Sequence, residues 1–378
     1  MDKKYFITCL GGMEPFLDAE LKEIGIPHSS IGFRGITIEG IDFETALKIN
    51  YTSRLATRVL LVLQEFPCQG RQDLYDAVFS LDWKDYFNEH TTLSIDANIH
   101  QNEELRNSLF VSQVVKDAIC DQLREKKGYR PSVKPYDADV QLHLFIQNKK
   151  ATISFDMSGP PLYKRGYREE SVEAPLQESL AAALIKMANY QPGQIFLDPC
   201  AGGGTLLIEA ALQATRTPSG FFRESWGFMH MPEFSESAWL KIKEEADSLK
   251  VPLQKEQIFG IEISKNNARI CRTHLRKAGF HKEIQLIESD FRQVSLPFTP
   301  HTVITNPPHG KRIGEVSSLH SLYTALGDLM KKSCVKPGIG IIYSSSRELS
   351  KSIGLKTDLR HDFFVGGLQA QGLRYPLF

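Results

Sequence analysis

Apolar and polar positions along the first sixty residues switch between two periods. YFITCL and RGITIEG predict strands, while EPFLDAELKEIG and FETALKINYTSRLA carry their apolar residues at helical spacing, which together predict a small α+β unit over residues 1–63. The same kind of alternation continues over 64–156. TTLSIDANI reads as a strand, SLFVSQVVKDAICDQLREKKG as an amphipathic helix, and VQLHLFIQNKKATISFDMS as two strands around a Gln-Asn-Lys-Lys turn, each with one wet face. Residues 157–190 break the pattern: SGPPLYKRGYREESVEAP has no period and reads as a connector, followed by the Ala- and Leu-rich helix LQESLAAALIKMAN. From 191 to 378 the apolar runs become short and nearly continuous. IFLDPC, QIFGIEI, EIQLIESD, HTVITNPP and GIGIIYSSS alternate with helical segments, and each run ends in polar residues. That is the expectation for an α/β domain with a doubly wound, mostly parallel sheet buried on both faces.

Composition narrows the classes. The chain has 378 residues, enough for two or three domains with their own cores, and its 42% hydrophobic and 24% charged content is that of a folded globular protein. Lys and Arg balance Asp and Glu at 45 each, so any nucleic-acid surface has to come from local clusters. The 6 cysteines are scattered without CxxC or zinc-type spacing, which predicts a reduced, cytoplasmic protein and no metal. The opening MDKKYFITCLGGM breaks at two glycines and reads as a strand, not a leader, and no run reaches membrane-spanning length.

In a parallel sheet, ligands lie beyond the carboxyl ends of the strands, so the residues closing each run are the candidates. The first run closes with Asp198, then Pro-Cys-Ala-Gly-Gly-Gly and Thr205 at the start of a helix, where glycines let backbone N–H groups approach a ligand; a plain tight turn is the competing reading. The second ends in Glu262, placed to accept from ribose hydroxyls, or simply a carboxylate at a helix start. The third ends in Ser289-Asp290-Phe291, an acceptor for an adenine amino group with an aromatic beside it, or a helix cap. Three acidic strand ends after a glycine turn together predict a bound adenosine moiety. The fourth run ends in Asn306-Pro307-Pro308: the prolines fix φ and hold Asn306 extended, so that its side chain and the Pro307 carbonyl are aimed acceptors suited to an NH2 group.

DPCAGGGTLLIEAA, GIEISKNNA, SDF and TNPPHGKR, in that order, resemble the motifs of S-adenosylmethionine-dependent methyltransferases that act on exocyclic amines of bases. DMSGPPLYKRGYR followed by APLQESLAAAL is similar to the segment joining a THUMP RNA-binding domain to its methyltransferase domain, and the N-terminal half resembles a ferredoxin-like domain plus THUMP. The resemblance covers essentially the whole chain and is to bacterial 23S rRNA guanine-N2 methyltransferases with a single methyltransferase domain. It implies a class I Rossmann-like sheet of seven strands. It further implies that Asp198, Ala201, Gly202, Gly204 and Thr205 hold the methionine part of the cofactor, Glu262 and Ile263 its ribose, and Asp290 and Phe291 its adenine. Asn306, Pro307 and Pro308 would grip the target amine, with Asn306 also among the residues at the cofactor. His309 stands where the family usually has an aromatic ring, most often tyrosine; a flat imidazole could stack on a flipped base.

For the RNA path, Lys164, Arg165, Tyr167 and Arg168 form the densest basic and aromatic cluster, suited to phosphates and stacking, with an interdomain clasp pairing Glu169 and Glu170 as the competing reading. Lys311 and Arg312 could meet a phosphate near the target. The expected activity is methyl transfer from S-adenosylmethionine to guanine N2 in rRNA. The alternatives are a tRNA guanine-N2 or an adenine-N6 methyltransferase, and an RNA-binding or ribosome assembly factor with little turnover.

Overall fold

The computed structural model describes residues 3–26, 29–308 and 316–378. The N-terminal half begins with β1 (Lys4–Thr8), α1 (Glu14–Ile24), β2 (Ser30–Gly32), β3 (Gly35–Glu39), α2 (Phe43–Thr52) and β4 (Arg58–Pro67). It continues with α3 (Arg71–Ser80), β5 (Thr92–His100), α4 (Ser108–Lys127), β6 (Ser132–Val133), β7 (Val140–Gln147) and β8 (Lys150–Asp156). All eight strands join one sheet in the order β2-β3-β1-β4-β8-β7-β5-β6. The two α+β units read from the sequence therefore share a single sheet, zipped by the antiparallel pairing of β4 with β8. The division expected at 63/64 falls inside β4, beside the register shift between Val62 and Gln64. A bulge adds local twist, which lets one strand serve both units.

The C-terminal half opens with α5 (Glu178–Met187), β9 (Phe196–Asp198) and α6 (Thr205–Ala214). Then come α7 (Glu236–Asp247), β10 (Ile258–Glu262), α8 (Lys265–Lys277), β11 (Gln285–Glu288) and β12 (Thr302–Thr305). The last elements are α9 (Val316–Ser333), β13 (Gly338–Ser344), α10 (Arg347–Lys351), β14 (Leu359–Val365) and β15 (Leu368–Leu377). The sheet order is β11-β10-β9-β12-β13-β15-β14. Strands β9 to β13 pair in parallel, and β15 returns antiparallel to both β13 and β14. Every residue of β9, β10 and β12 is buried, as expected of strands covered by helices on both faces. The strand order reverses direction between β9 and β12, and a crevice opens at such a switch point.

The halves are locked by charge as well as packing. Arg54 donates to the carbonyls of Leu212 (2.8 Å) and Thr217 (2.6 Å) at the end of α6. Arg223 reaches the carbonyls of Ser158, Pro160 and Pro161 and lies 4.4 Å from the Trp226 ring. Among the described residues no helix is long and apolar enough to cross a membrane.

Candidate active site

The crevice between the carboxyl ends of β9, β10, β11 and β12 holds a cavity of about 680 Å3. Asp198, Ala201, Gly202, Thr205, Glu262, Ile263, Asp290, Phe291, Asn306, Pro307 and Pro308 all line it, so four separate strand ends converge on one space. Gly204 sits behind the wall. It adopts φ +82°, and a Cβ there would lie 2.5 Å from Cys271 Sγ, so the turn into α6 closes only around glycine. Gly202, at φ +52°, has open space where a side chain would be.

Glu262 holds this loop in shape. Its Oε2 accepts from Gly202 N (2.7 Å) and its Oε1 from Ser264 N (2.8 Å), which ties β10 to the glycine turn and to the start of α8. Each carboxylate oxygen can accept again, so the group keeps capacity for hydroxyl donors in the cavity. Asp198 is buried and accepts from Thr305 Oγ1 (2.7 Å) and Cys200 N (3.0 Å). Burial, with Glu262 nearby, pushes its carboxyl up to about 7, although the bonds from Thr305 and Cys200 oppose the shift. Asp290 caps the turn after β11 by accepting from Arg292 N, and its carboxylate is gripped by the Arg292 guanidinium, which holds it below the usual carboxylate range. Phe291 is buried in the second core cluster while lining the cavity.

At the fourth strand end, Asn306 Oδ1 is buried without a hydrogen-bond partner among the described residues. An unmatched buried acceptor costs about 1–3 kcal/mol, and such a cost persists where a ligand donor satisfies it. His309, Lys311 and Arg312 lie outside the described residues.

The cluster assigned to RNA divides. Arg165 and Tyr167 are 1% exposed, and both direct their polar atoms at Glu209 on α6 (3.4 and 3.2 Å). Arg165 also donates to Arg54 O (2.6 Å) and Leu162 O (2.9 Å), so neither residue can reach RNA; they fasten the connector between the two halves. Arg168 pairs with Glu178 and donates to Thr205 Oγ1 (2.9 Å), again facing inward. Only Lys164 of the four is exposed. Glu169 and Glu170 do not close that clasp; they pair outward with Lys277 and Arg269 of α8. The aromatics Trp226 and Phe228 stack with each other and meet Trp239 edge to face, so they serve packing.

Several cavity residues carry no local sequence signal. Val172 to Leu176 of the connector form one wall, with Leu322 of α9 and Arg292 on others. His274 is buried on α8, with Nδ1 2.9 Å from Gly203 O and Nε2 accepting from Glu170 N (3.4 Å), an arrangement that fits a neutral ring protonated at Nδ1. A histidine inside an otherwise basic helix reads as surface from sequence; only the fold brings it under the glycine turn.

Family descriptions match along the chain: an RlmL ferredoxin-like domain over residues 4–60, a THUMP domain over 70–156, and an RMKL-like methyltransferase domain over 165–369. The ribosomal RNA large subunit methyltransferase K/L of Psychromonas ingrahamii is 36% identical over 370 residues, covering 97% of this chain and 49% of that protein. The chain thus spans about half the length of the K/L relatives it matches. A Synechocystis protein named provisionally as an RNA methyltransferase is 32% identical over 381 residues, with 100% and 97% of the two chains covered. Among solved structures, a protein of Clostridium difficile 630 named provisionally as a methylase superposes with a TM-score of 0.88 at 27% identity, covering 100% and 98%. A further structure, solved with S-adenosylhomocysteine, shares the fold at TM-score 0.88 and 24% identity, covering 100% and 98%. With more than half its length matched, the chain belongs to the RMKL-like methyltransferase family, with THUMP and RlmL-type ferredoxin-like domains ahead of the methyltransferase domain.

Proposed function

We propose that the chain transfers a methyl group from S-adenosylmethionine to the exocyclic N2 amine of a guanine in 23S rRNA. The observation that carries the reading is Asn306 Oδ1, a buried acceptor without a partner at the end of β12, on the wall of a cavity whose other strand ends are acidic. The K/L relatives, named for ribosomal RNA methylation, supply the substrate class.

The residues present suit the cofactor. Glu262, already oriented by Gly202 and Ser264, would take the ribose hydroxyls. Asp198 and the open face at Gly202 would hold the cationic amino-acid end. Asp290, with Phe291 beside it, would accept from the adenine amino group. When bound, the cofactor would supply an electrophilic methyl on a sulfonium, the S–CH3 bond breaking to leave the neutral thioether S-adenosylhomocysteine.

The rest is positioning. The lone pair of a guanine amine is delocalised into the ring, so it attacks poorly unless its hydrogens are drawn out of the ring plane. Asn306 Oδ1 and the Pro307 carbonyl, aimed by the two proline rings, would accept those hydrogens and favour a pyramidal nitrogen. The methylated amine formed on attack is strongly acidic and releases its proton to water, so no side-chain base is required. Extraction of the base from its stack costs a few kcal/mol, which an unpaired target lowers. The ferredoxin-like and THUMP domains would capture the surrounding RNA, and a ribosomal substrate places the protein in the cytoplasm.

The test is methyl transfer from labelled cofactor to 23S rRNA purified from cells lacking the gene, with mass-spectrometric mapping of the product. N2-methylguanosine at one position is the expected result. Methylation confined to tRNA, to adenine N6, or absent altogether would overturn the proposal.

A further inference from the structure

Two exposed aromatic residues from different domains lie on either side of Arg34, toward the carboxyl side of the methyltransferase sheet. Phe33 sits at the tip of the two-residue turn joining β2 and β3 and is 71% exposed. Its neighbour Arg34 is held at φ +54°, a left-handed conformation that costs an arginine about 1 kcal/mol or more. The turn is fixed from both sides: Arg34 N donates to Glu14 Oε1 (3.0 Å) and Arg34 O accepts from Cys9 N (3.0 Å). The Arg34 guanidinium lies 5.4 Å from the Phe33 ring. A two-residue hairpin turn takes positive φ, and this one, tied at both ends, holds the Phe33 ring in solvent.

The second aromatic is Phe364 on β14, 40% exposed, followed by the Gly366-Gly367 turn and Leu368, 64% exposed. Phe364 N donates to Gly11 O (2.9 Å), which stitches the hairpin tip to the ferredoxin-like domain. A Cβ built at Gly11 would meet Phe364 Cβ at 3.2 Å and Arg34 Nε at 3.3 Å, so the two exposed groups flank one glycine and form a continuous face. His361 bonds Gly12 O beside them, Arg347 lies near Asp362, and Asp362 accepts from Gln371 (2.8 Å). Glu14 accepts from the Arg34 backbone, and the Arg34 residue is exposed.

Strand register places this face relative to the site. Thr305 is level with Ile342, and Ile342 with Leu373, whereas Phe364 pairs with Gln369, four residues further toward the carboxyl side. At about 3.3 Å per residue and about 4.8 Å between strands, crossing from β12 to β14 puts Phe364 roughly 20 Å from Asn306, a few nucleotides of extended strand away.

We infer that Phe33, Arg34 and Phe364 form a stacking platform for unpaired nucleobases of the RNA strand flanking the target. Flat aromatic faces accept any base, and the guanidinium meets the adjoining phosphate. The inference rests on the RNA methyltransferase reading and adds a point of grip that fixes how the strand enters the site. The experiment is steady-state methyl transfer to 23S rRNA from cells lacking the gene, comparing wild type with the Phe33→Ala/Phe364→Ala double variant and with Phe33→Trp. The expected result is an RNA KM raised about ten-fold or more in the double variant, with kcat and calorimetric cofactor affinity unchanged, and a wild-type KM for Phe33→Trp. An unchanged KM beside an active wild type overturns the platform and leaves the site reading intact. Wild type inactive on every RNA overturns both. Sedimentation showing a wild-type dimer and a monomeric double variant would make the face a contact between copies, and overturns the platform as well.

Discussion

The unmatched oxygen of Asn306 makes a prediction with opposite signs for activity and stability. Asn306→Ala removes a buried acceptor that has no partner among the described residues of the resting protein. The proposed transition state places on that oxygen an N–H whose nitrogen is gaining positive charge. A hydrogen bond of that kind contributes about 1.5–3 kcal/mol, which converts to a fall in kcat of about 10- to 150-fold. The folded protein loses nothing comparable, since the unmatched acceptor was a cost of about 1–3 kcal/mol in the resting state. The melting temperature should therefore hold or rise, and the cofactor should bind as before because Glu262 and Asp198 are untouched. Labelled methyl transfer at saturating RNA gives kcat, calorimetry gives the cofactor Kd, and a thermal melt gives stability. A weaker cofactor Kd with kcat intact, or a clear fall in melting temperature, would show that Asn306 supports the cavity and does not grip the amine.

Glu262→Gln should weaken cofactor binding by about 10- to 100-fold by calorimetry with kcat at saturation little changed, because an amide offers its NH2 to one of the two backbone donors that the carboxylate satisfies. Asp198 titrates near 7 in the folded protein against 3.8 as its unperturbed value, so its contribution to stability is complete below about pH 4 and is lost as pH rises through about 7. Thermal melts of the cofactor-free protein between pH 5 and 8 should show that fall, cofactor affinity should rise over the same range as the carboxylate ionises, and Asp198→Asn should flatten both. Glu209→Leu leaves the Arg165 guanidinium buried without its counter-charge and should cost about 3–5 kcal/mol, most of it recovered in the double variant with Arg165→Met; equal melts of single and double variants would refute the pairing.

The strand ends of the cavity were legible because parallel strands covered on both faces must be apolar along their length, so the few polar residues that close them stand out. Asp198, Glu262, Asp290 and Asn306 are all of that kind, and all four line the cavity. The shared N-terminal sheet was not legible. β4 and β8 pair residues about ninety positions apart, and alternation within a strand says which face is wet but not which strand lies beside it. The basic cluster failed for a related reason. Arg165, Tyr167 and Arg168 have the composition of an RNA surface, and the carboxylate that draws two of them inside, Glu209, sits about forty residues later in a helix that reads as apolar. Local sequence reports the charge; burial depends on which partner the fold delivers.

That inward cluster links the N-terminal half to the cavity. The connector bonds to the N-terminal half through Leu162 N to Thr57 O (2.8 Å) and Arg165 to Arg54 O, then reaches α6 through Arg168 and Thr205. Seven residues after Arg165 it becomes the wall of the cavity, with Val172 Cγ1 at 3.4 Å from the position a Cβ would take at Gly203. The segment is held to the N-terminal half by buried bonds, yet it lacks regular secondary structure, so its position is set by what it touches at each end. The cavity wall is thus borne on a strap whose other end is anchored beside β4 and β8. A flexible tether would let the capture domains find RNA but would leave the distance to Asn306 unset. A buried ion pair with both side chains 0% exposed fixes that distance, which the proposed selection of one base in a long RNA requires more than it requires reach.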